Sequence, residues 1–170
     1  MIRALYTADT IVSTVPEAFS LYERSSFGEK KGKTILYAPV EALFLAQEQK
    51  IAIIKGTREL SLNSLISQLK KYDKKILIKT TVYTDLRKRG YIVKSALKFG
   101  AEFRVYEPGV KPGTEHARWI LYTAREHDTL HWHDFAAKNR VAHSTKKHLL
   151  LAIVDDEGDV SYYEVGWFKP

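Results

Sequence analysis

Two short bursts of alternating apolar residues open the chain, IRALYT from Ile2 and TIVST from Thr10, with turn-prone Ala8 and Asp9 between them. A period of two on either side of a turn predicts a β-hairpin. The period then lengthens. PEAFSLYER begins with Pro16 and PVEALFLAQEQK with Pro39, each proline at a favourable first helical position, and Val40, Leu43, Phe44 and Ala46 form an apolar stripe of helical spacing. IAIIKG from Ile51 reads as a short buried strand, and SLNSLISQLKKYD as an amphipathic helix capped by Ser61. KKILIKTTVYTDLRKRG predicts one helix entering the second half and ending at Gly90, with a boundary near residues 72–85. No repeat, low-complexity tract or long linker interrupts the chain.

The second half alternates strands with one helix. YIVKSAL and FGAEFRVY predict strands, and EPGVKPGTE is a loop punctuated by two Pro-Gly pairs. ARWILYTA predicts a strand, HWHDFAAKNRVAHSTKK a helix, HLLLAIVD a strand, DDEGD a hairpin turn, and VSYYEVGW a final strand. The expected fold class is therefore α/β (α+β). A small N-terminal helix-and-strand domain over 1–80 precedes a mixed-sheet domain flanked by helices over 81–170.

Composition narrows the chemistry. The 170 residues include no cysteine, which removes disulfides, thiolate metal sites and cysteine nucleophiles and fits a reducing compartment. Lysine and arginine outnumber aspartate and glutamate 27 to 20, for a net charge of +7 and a pI near 9.4, which favours a polyanionic partner such as nucleic acid. The longest apolar runs, LLLAIV among them, fall well short of the roughly 20 residues of a membrane helix. The N-terminus lacks the apolar core of a signal peptide, so a soluble cytoplasmic protein without membrane partners is expected. Asparagine and glutamine number five, with one methionine, a depletion of thermolabile residues that suggests a hot-living source.

FGEKKGKT, residues 27–34, resembles a phosphate-binding loop only superficially. Its two glycines are separated by three residues where the motif requires four, and the expected structure is a solvated basic turn. All six histidines fall between His116 and His148, placing any proton transfer near neutral pH in the second half. The strand-helix-strand run from 117 to 154 predicts two parallel strands whose N-terminal ends share one sheet edge. His116 stands at the start of the first and Lys147 at the start of the second, and Tyr106 closes the strand before the Pro-Gly loop. An imidazole, an ammonium and a phenol then meet at one edge. They could supply the proton acceptor, proton donor and fixed cation needed for RNA cleavage by the neighbouring 2′-hydroxyl. No metal or other cofactor is required, because the nucleophile lies in the substrate, and DNA should resist.

The runs YIVKSALKFGAEFRVYEPG, EHARWILY and RVAHSTKKHLLLAIVDDEGDVSYYEVGW closely resemble the catalytic domain of archaeal tRNA-intron (tRNA splicing) endonucleases. The resemblance is strong over 81–170, and 1–80 looks like the family's smaller N-terminal domain. It implies catalytic roles for Tyr106 in FRVYE, His116 in EH and Lys147 in the AHS-to-LL segment. Tyr106 is then the base at the 2′-hydroxyl, His116 the acid at the leaving oxygen and Lys147 the clamp on the transition state, with the first two roles open to exchange. It also implies metal-independent excision of introns from precursor tRNA at bulge-helix-bulge sites, leaving 2′,3′-cyclic phosphate and 5′-hydroxyl ends, by a homotetramer of short chains. An acidic loop such as DDEGD would dock into a neighbouring subunit, and Arg140 would stack on a bulged base. Trp167 is assigned to the same RNA surface, against the alternative of a place in the core. The resemblance leaves one other reading, a non-catalytic structural subunit of such an assembly, from which loss of one or more of the three residues would be expected.

Among the other histidines, His127, His131 and His133 lie near Asp128 and Asp134, yet residues two apart on a helix face different ways. No metal site is expected there. His143 reads as a hydrogen-bonded structural residue in mid-helix, and His148 as a surface or strand-edge residue.

Overall fold

The computed structural model describes residues 1–170. They divide into two compact units, Met1–Tyr83 and Thr84–Pro170, and the division falls inside one helix, α4 (Ile76–Lys88).

The first unit carries β1 (Ile2–Thr7), β2 (Thr10–Ser13), β3 (Glu29–Lys31), β4 (Thr34–Tyr37), β5 (Ile51–Lys55) and β6 (Arg58–Glu59), in the sheet order β3-β4-β2-β1-β5-β6. With them are α1 (Pro16–Ser25), α2 (Pro39–Gln47) and α3 (Leu62–Tyr72). β1 and β2 form the expected antiparallel hairpin, and β1 pairs with β5 in parallel through Ile2 opposite Ile51. The basic segment at 27–34 is no simple turn. Glu29–Lys31 and Thr34–Tyr37 pair as a hairpin with Gly32 at φ 59° in its two-residue tip, the left-handed geometry such tips require. Lysines on an exposed edge strand are compatible with pairing, which the phosphate-loop comparison obscured.

α2 is buried from Val40 to Leu45, which explains its nearly uniform apolarity. Its N-cap, Ala38, has no side-chain oxygen. Instead the buried Glu41 carboxylate accepts the N–H groups of Ala38 at 3.1 Å and Gly28 at 3.2 Å, tying the helix start to the preceding loop. Phe44 stacks on Phe27 with centroids 5.7 Å apart. The nearby Tyr37 hydroxyl is sealed in without a partner, and burial followed by the Glu41 charge pushes its pKa up to about 12.

The second unit has β7 (Ile92–Ser95), β8 (Phe103–Tyr106), β9 (Trp119–Arg125), β10 (His148–Val154) and β11 (Val160–Val165), in the order β11-β10-β9-β8-β7. Only β9 and β10 run parallel, joined through α5 (Trp132–Ser144), and the other neighbours are antiparallel. The strand expected over FGAEFRVY is shorter than its apolar run. Leu97–Phe99 form a single 3₁₀ turn ending at Gly100, and Phe99 and Ala101 are thereby turned into the core instead of along the sheet. That core joins Ala96, Ala101, Ile120, Tyr122, Ala142 and Leu149, with Phe99, Phe135, Leu151 and Val165 packed around it. α4 stops at Lys88, two residues before Gly90. No helix is long and apolar enough to cross a membrane.

Candidate functional site

Register places the candidate residues. β8 pairs with β9 through Phe103–Leu121, Arg104–Ile120 and Val105–Trp119, and the Arg118 N–H continues the ladder to the Val105 carbonyl at 3.0 Å. One step further, Tyr106 lies beside Arg118. On the other side of β9, His148 is opposite Trp119 and its N–H reaches the Arg118 carbonyl at 2.9 Å, which sets Lys147 beside Arg118 as well. Tyr106, Arg118 and Lys147 therefore occupy one row across three strands, with the outer two Cα atoms about 10 Å apart at ordinary strand spacing. His116 stands two residues before Arg118, exposed and without a hydrogen bond or ion pair. It belongs to the loop entering the sheet edge, since β9 begins only at Trp119.

Each member of the row is held differently. Tyr106 is 4% exposed, its ring packed, and its hydroxyl donates to no protein group without being sealed in the interior. Arg118 is committed to Glu107 by a 2.6 Å ion pair and lies over the Trp119 ring. Lys147 donates to the Thr145 carbonyl at 3.1 Å and lies 5.9 Å from the Phe99 ring centroid. Burial lowers its pKa, and the Arg104 guanidinium pushes in the same direction.

The backbone that delivers Lys147 is strained. Helix α5 ends with Thr145 as its cap, Lys146 at φ 55°, the Lys146 N–H on the His143 carbonyl and the Lys147 N–H on the Ala142 carbonyl at 2.8 Å. These are the paired bonds of a Schellman motif, whose left-handed residue is usually glycine. A lysine there turns the chain sharply from α5 into β10, with Lys147 at the turn. No feature of the sequence alone signals that conformation.

The face of α5 one turn earlier carries other candidates. Arg140 and His143 are both exposed, and three residues apart they are neighbours on the helix surface. Trp167 is 57% exposed, so the core alternative fails for it. Its ring meets that of His143 edge-on, with centroids 3.9 Å apart. His143 is accordingly an aromatic contact at the surface, where a hydrogen-bonded structural histidine was expected. His148 is exposed and lies 3.7 Å from Glu164.

The far ends of β9 and β10 hold the one cluster with metal-ligand chemistry, Glu126, His127 and Asp156, whose ligand atoms lie within 4.8 Å of one another. Eight residues of extended chain, about 26 Å, separate Glu126 from Arg118. All three side chains are exposed and already engaged: His127 Nε2 with Asp156 at 3.0 Å, and Glu126 with the Asp156 N–H at 3.0 Å. The hydrogen bond to Asp156, then its charge and that of Glu126, raise the His127 pKa. This contact thus favours the protonated ring, and its contribution is lost as pH climbs through the raised value. His131 and His133 take no part in it; His131 occupies the N-cap position of α5 without a side-chain cap bond, and His133 lies 3.8 Å from Asp134.

Comparison with known proteins adds the family. A model described as tRNA intron endonuclease, catalytic C-terminal domain, matches residues 76–162. A second, tRNA intron endonuclease, N-terminal domain, matches residues 3–66. The tRNA-splicing endonuclease of Pyrococcus furiosus is 41% identical over 170 residues, covering 99% of this chain and 98% of that protein. That of Methanothermobacter thermautotrophicus is 40% identical over 150 residues, 88% of this chain and 87% of its own. That of Nanoarchaeum equitans is 40% identical over 137 residues, 77% and 88% respectively.

The Lys146 geometry yields a direct prediction. A left-handed residue with a Cβ costs about 1–2 kcal/mol, more than the roughly 0.5–1 kcal/mol of extra chain entropy that glycine brings. Lys146→Gly should therefore melt at a higher temperature than the unmodified chain in a calorimetric scan. A lower melting temperature would show that Lys146 is held by side-chain contacts that outweigh the strain.

Proposed function

This chain belongs to the tRNA intron endonuclease family, and we propose that it excises introns from precursor tRNA at bulge-helix-bulge sites. The reaction is attack by the 2′-hydroxyl on the adjacent phosphodiester. The 2′-O–P bond forms as the P–O5′ bond breaks, leaving a 2′,3′-cyclic phosphate on one fragment and a 5′-hydroxyl on the other. Tyr106 takes the proton from the 2′-oxygen, His116 gives one to the departing 5′-oxygen, and Lys147 stabilises the added charge on the phosphorane. The exchanged assignment, with His116 as base and Tyr106 as acid, uses the same three groups. The observation that carries the reading is the row across β8, β9 and β10, which sets Tyr106 and Lys147 on either side of Arg118 with His116 just ahead.

The nucleophile is part of the RNA, so the reaction needs no metal ion or other cofactor. An exposed His116, free of protein partners, suits a group that must meet a large substrate. Arg140 and Trp167 are both exposed and offer planes for an unstacked base. Arg140 forms no ion pair, so its guanidinium is available to RNA.

A bulge-helix-bulge has two scissile bonds and this chain one set of three residues, so at least two active subunits must be held together, and the family resemblance extends this to a homotetramer. β11 is the edge strand of its sheet, with Tyr163 58% exposed and Phe168 just beyond it 82% exposed. Such an edge invites pairing with a second copy about a two-fold axis. The acidic turn at 155–159 joins dimers by docking on a basic surface. Its four carboxylates are not equivalent. Asp155 accepts the N–H groups of Glu157 and Asp159, both at 2.9 Å, and shapes the turn itself. Asp156 is engaged by His127, which leaves Glu157 and Asp159 exposed and available to a neighbour.

With a model bulge-helix-bulge RNA and excess chelator, the unmodified protein should cut at both junctions. Under the same conditions His116→Ala and Lys147→Ala should each lower the single-turnover rate by about 10²- to 10⁴-fold without loss of fold. Near-normal rates in both variants would remove the triad assignment, failure of the unmodified protein to cut would favour the structural-subunit reading, and rescue of a chelated enzyme by a divalent ion would remove the metal-free mechanism. Light scattering should find a tetramer for the unmodified chain and dimers for Glu157→Lys with Asp159→Lys, with assembly more sensitive to salt. An unchanged tetramer in that double variant would remove the docking role.

A further inference from the structure

Lys147 is accompanied by a second cation. Arg104 lies in β8 two residues before Tyr106, on the same face of the strand, and opposite Ile120 in the row next to that of Arg118. Its side chain is half-buried and its Nε–H donates to the Ser95 carbonyl at 3.1 Å. That bond fixes the plane of the guanidinium while the two terminal nitrogens donate to no protein group. No carboxylate neutralises it. Glu102, earlier in the same segment, accepts from the Thr123 N–H at 2.8 Å and its hydroxyl at 3.4 Å, and Glu107 is taken by Arg118. Lys147 likewise lacks an acidic partner, since its ammonium donates to the Thr145 carbonyl. Register across β8, β9 and β10 puts Arg104 and Lys147 on one face of the sheet, the Arg104 charge lowers the Lys147 pKa, and no carboxylate is paired with either.

Placing like charges together in a half-buried site is unfavourable unless an anion completes it. A guanidinium tied at Nε presents its two outer nitrogens as a fork, the arrangement that binds two oxygens of one phosphate. We propose that Arg104 is a second phosphate-binding residue of the cleavage site, holding the non-bridging oxygens of the scissile phosphodiester beside Lys147. This rests on the cleavage reading above and extends it. Lys147, on a flexible stem, follows the charge that develops on the phosphorane. Arg104, fixed before substrate arrives, sets the orientation of the phosphate toward Tyr106.

Single-turnover cleavage of a model bulge-helix-bulge RNA by Arg104→Gln and Arg104→Lys tests the assignment, using substrates with sulfur in place of one or the other non-bridging oxygen at the cut. Arg104→Gln should lose about 10²-fold in rate at saturating RNA, with melting temperature and RNA affinity nearly unchanged. Arg104→Lys should recover only part of the loss, because an ammonium cannot fork. The unmodified protein should discriminate between the two sulfur diastereomers, and Arg104→Gln should lose most of that discrimination, a change that a purely structural arginine would not produce. Wild-type rates in Arg104→Gln, full rescue by lysine, or discrimination unaltered in both variants would overturn the proposal while leaving the cleavage reading intact. Failure of the unmodified protein to cut would overturn both together.

Discussion

A one-residue slip of β10 against β9 would turn every β10 side chain to the opposite face. The core and the candidate site depend on the same register. The pairing of His148 with Trp119 and Leu149 with Ile120 buries Leu149 and Ile120 against Ala142 of α5, and it sets Lys147 one strand from Arg118. Both faces of β10 are buried, Leu149 on one and Leu150, Ala152 and Val154 on the other, so a slip would set side chains of the wrong size against each packed layer. The precision of the site thus comes from hydrophobic packing several residues away from it. The left-handed turn at Lys146 adds the other half of the constraint by ending α5 where β10 must begin.

That packing permits an arrangement that would otherwise repel itself. Lys147 and Arg104 share a face with no carboxylate paired to either, while several acidic groups of the unit are engaged elsewhere: Glu107 on Arg118, Glu102 on Thr123, Asp85 on Arg89 and Tyr162, and Asp156 on His127. Arg118 and Lys147 stand at the N-terminal ends of β9 and β10, and the acidic turn at 155–159 near their C-terminal ends. One end suits a phosphate backbone and the other a basic protein surface. A net charge of +7 is therefore less informative than where the acids are absent.

Much of this was legible in the sequence. Proline at the first turn of α1 and α2, the alternation of β1 and β2, and the strand-helix-strand run through α5 all follow from local periodicity; the parallel crossover brings Lys147 beside the start of β9, and the Pro-Gly loop returns Tyr106 to the same edge. Other features were not. The β3–β4 hairpin hid because its exposed strand is lysine-rich and its glycine spacing suggested a phosphate loop. The break at Leu97–Phe99 hid because an apolar run reads alike whether it continues a strand or turns into the core. Also hidden was the part of Arg104, a residue indistinguishable in sequence from any solvated arginine, whose neighbours become visible only when Ser95 and Lys147 are placed around it. The exposure of Trp167 belongs with these, since an aromatic near a terminus carries no signal that separates core from surface.

The central claim is that the substrate supplies the nucleophile and the protein only moves protons and balances charge. Its most direct test is a model bulge-helix-bulge RNA with a single 2′-deoxynucleotide immediately 5′ to one cut and ribose at every other position. The account predicts that this junction alone becomes resistant while the other is still cut to a 2′,3′-cyclic phosphate and a 5′-hydroxyl. Cleavage at the deoxy junction, or a 5′-phosphate at the ribose one, would mean that water is the attacking group and would contradict it.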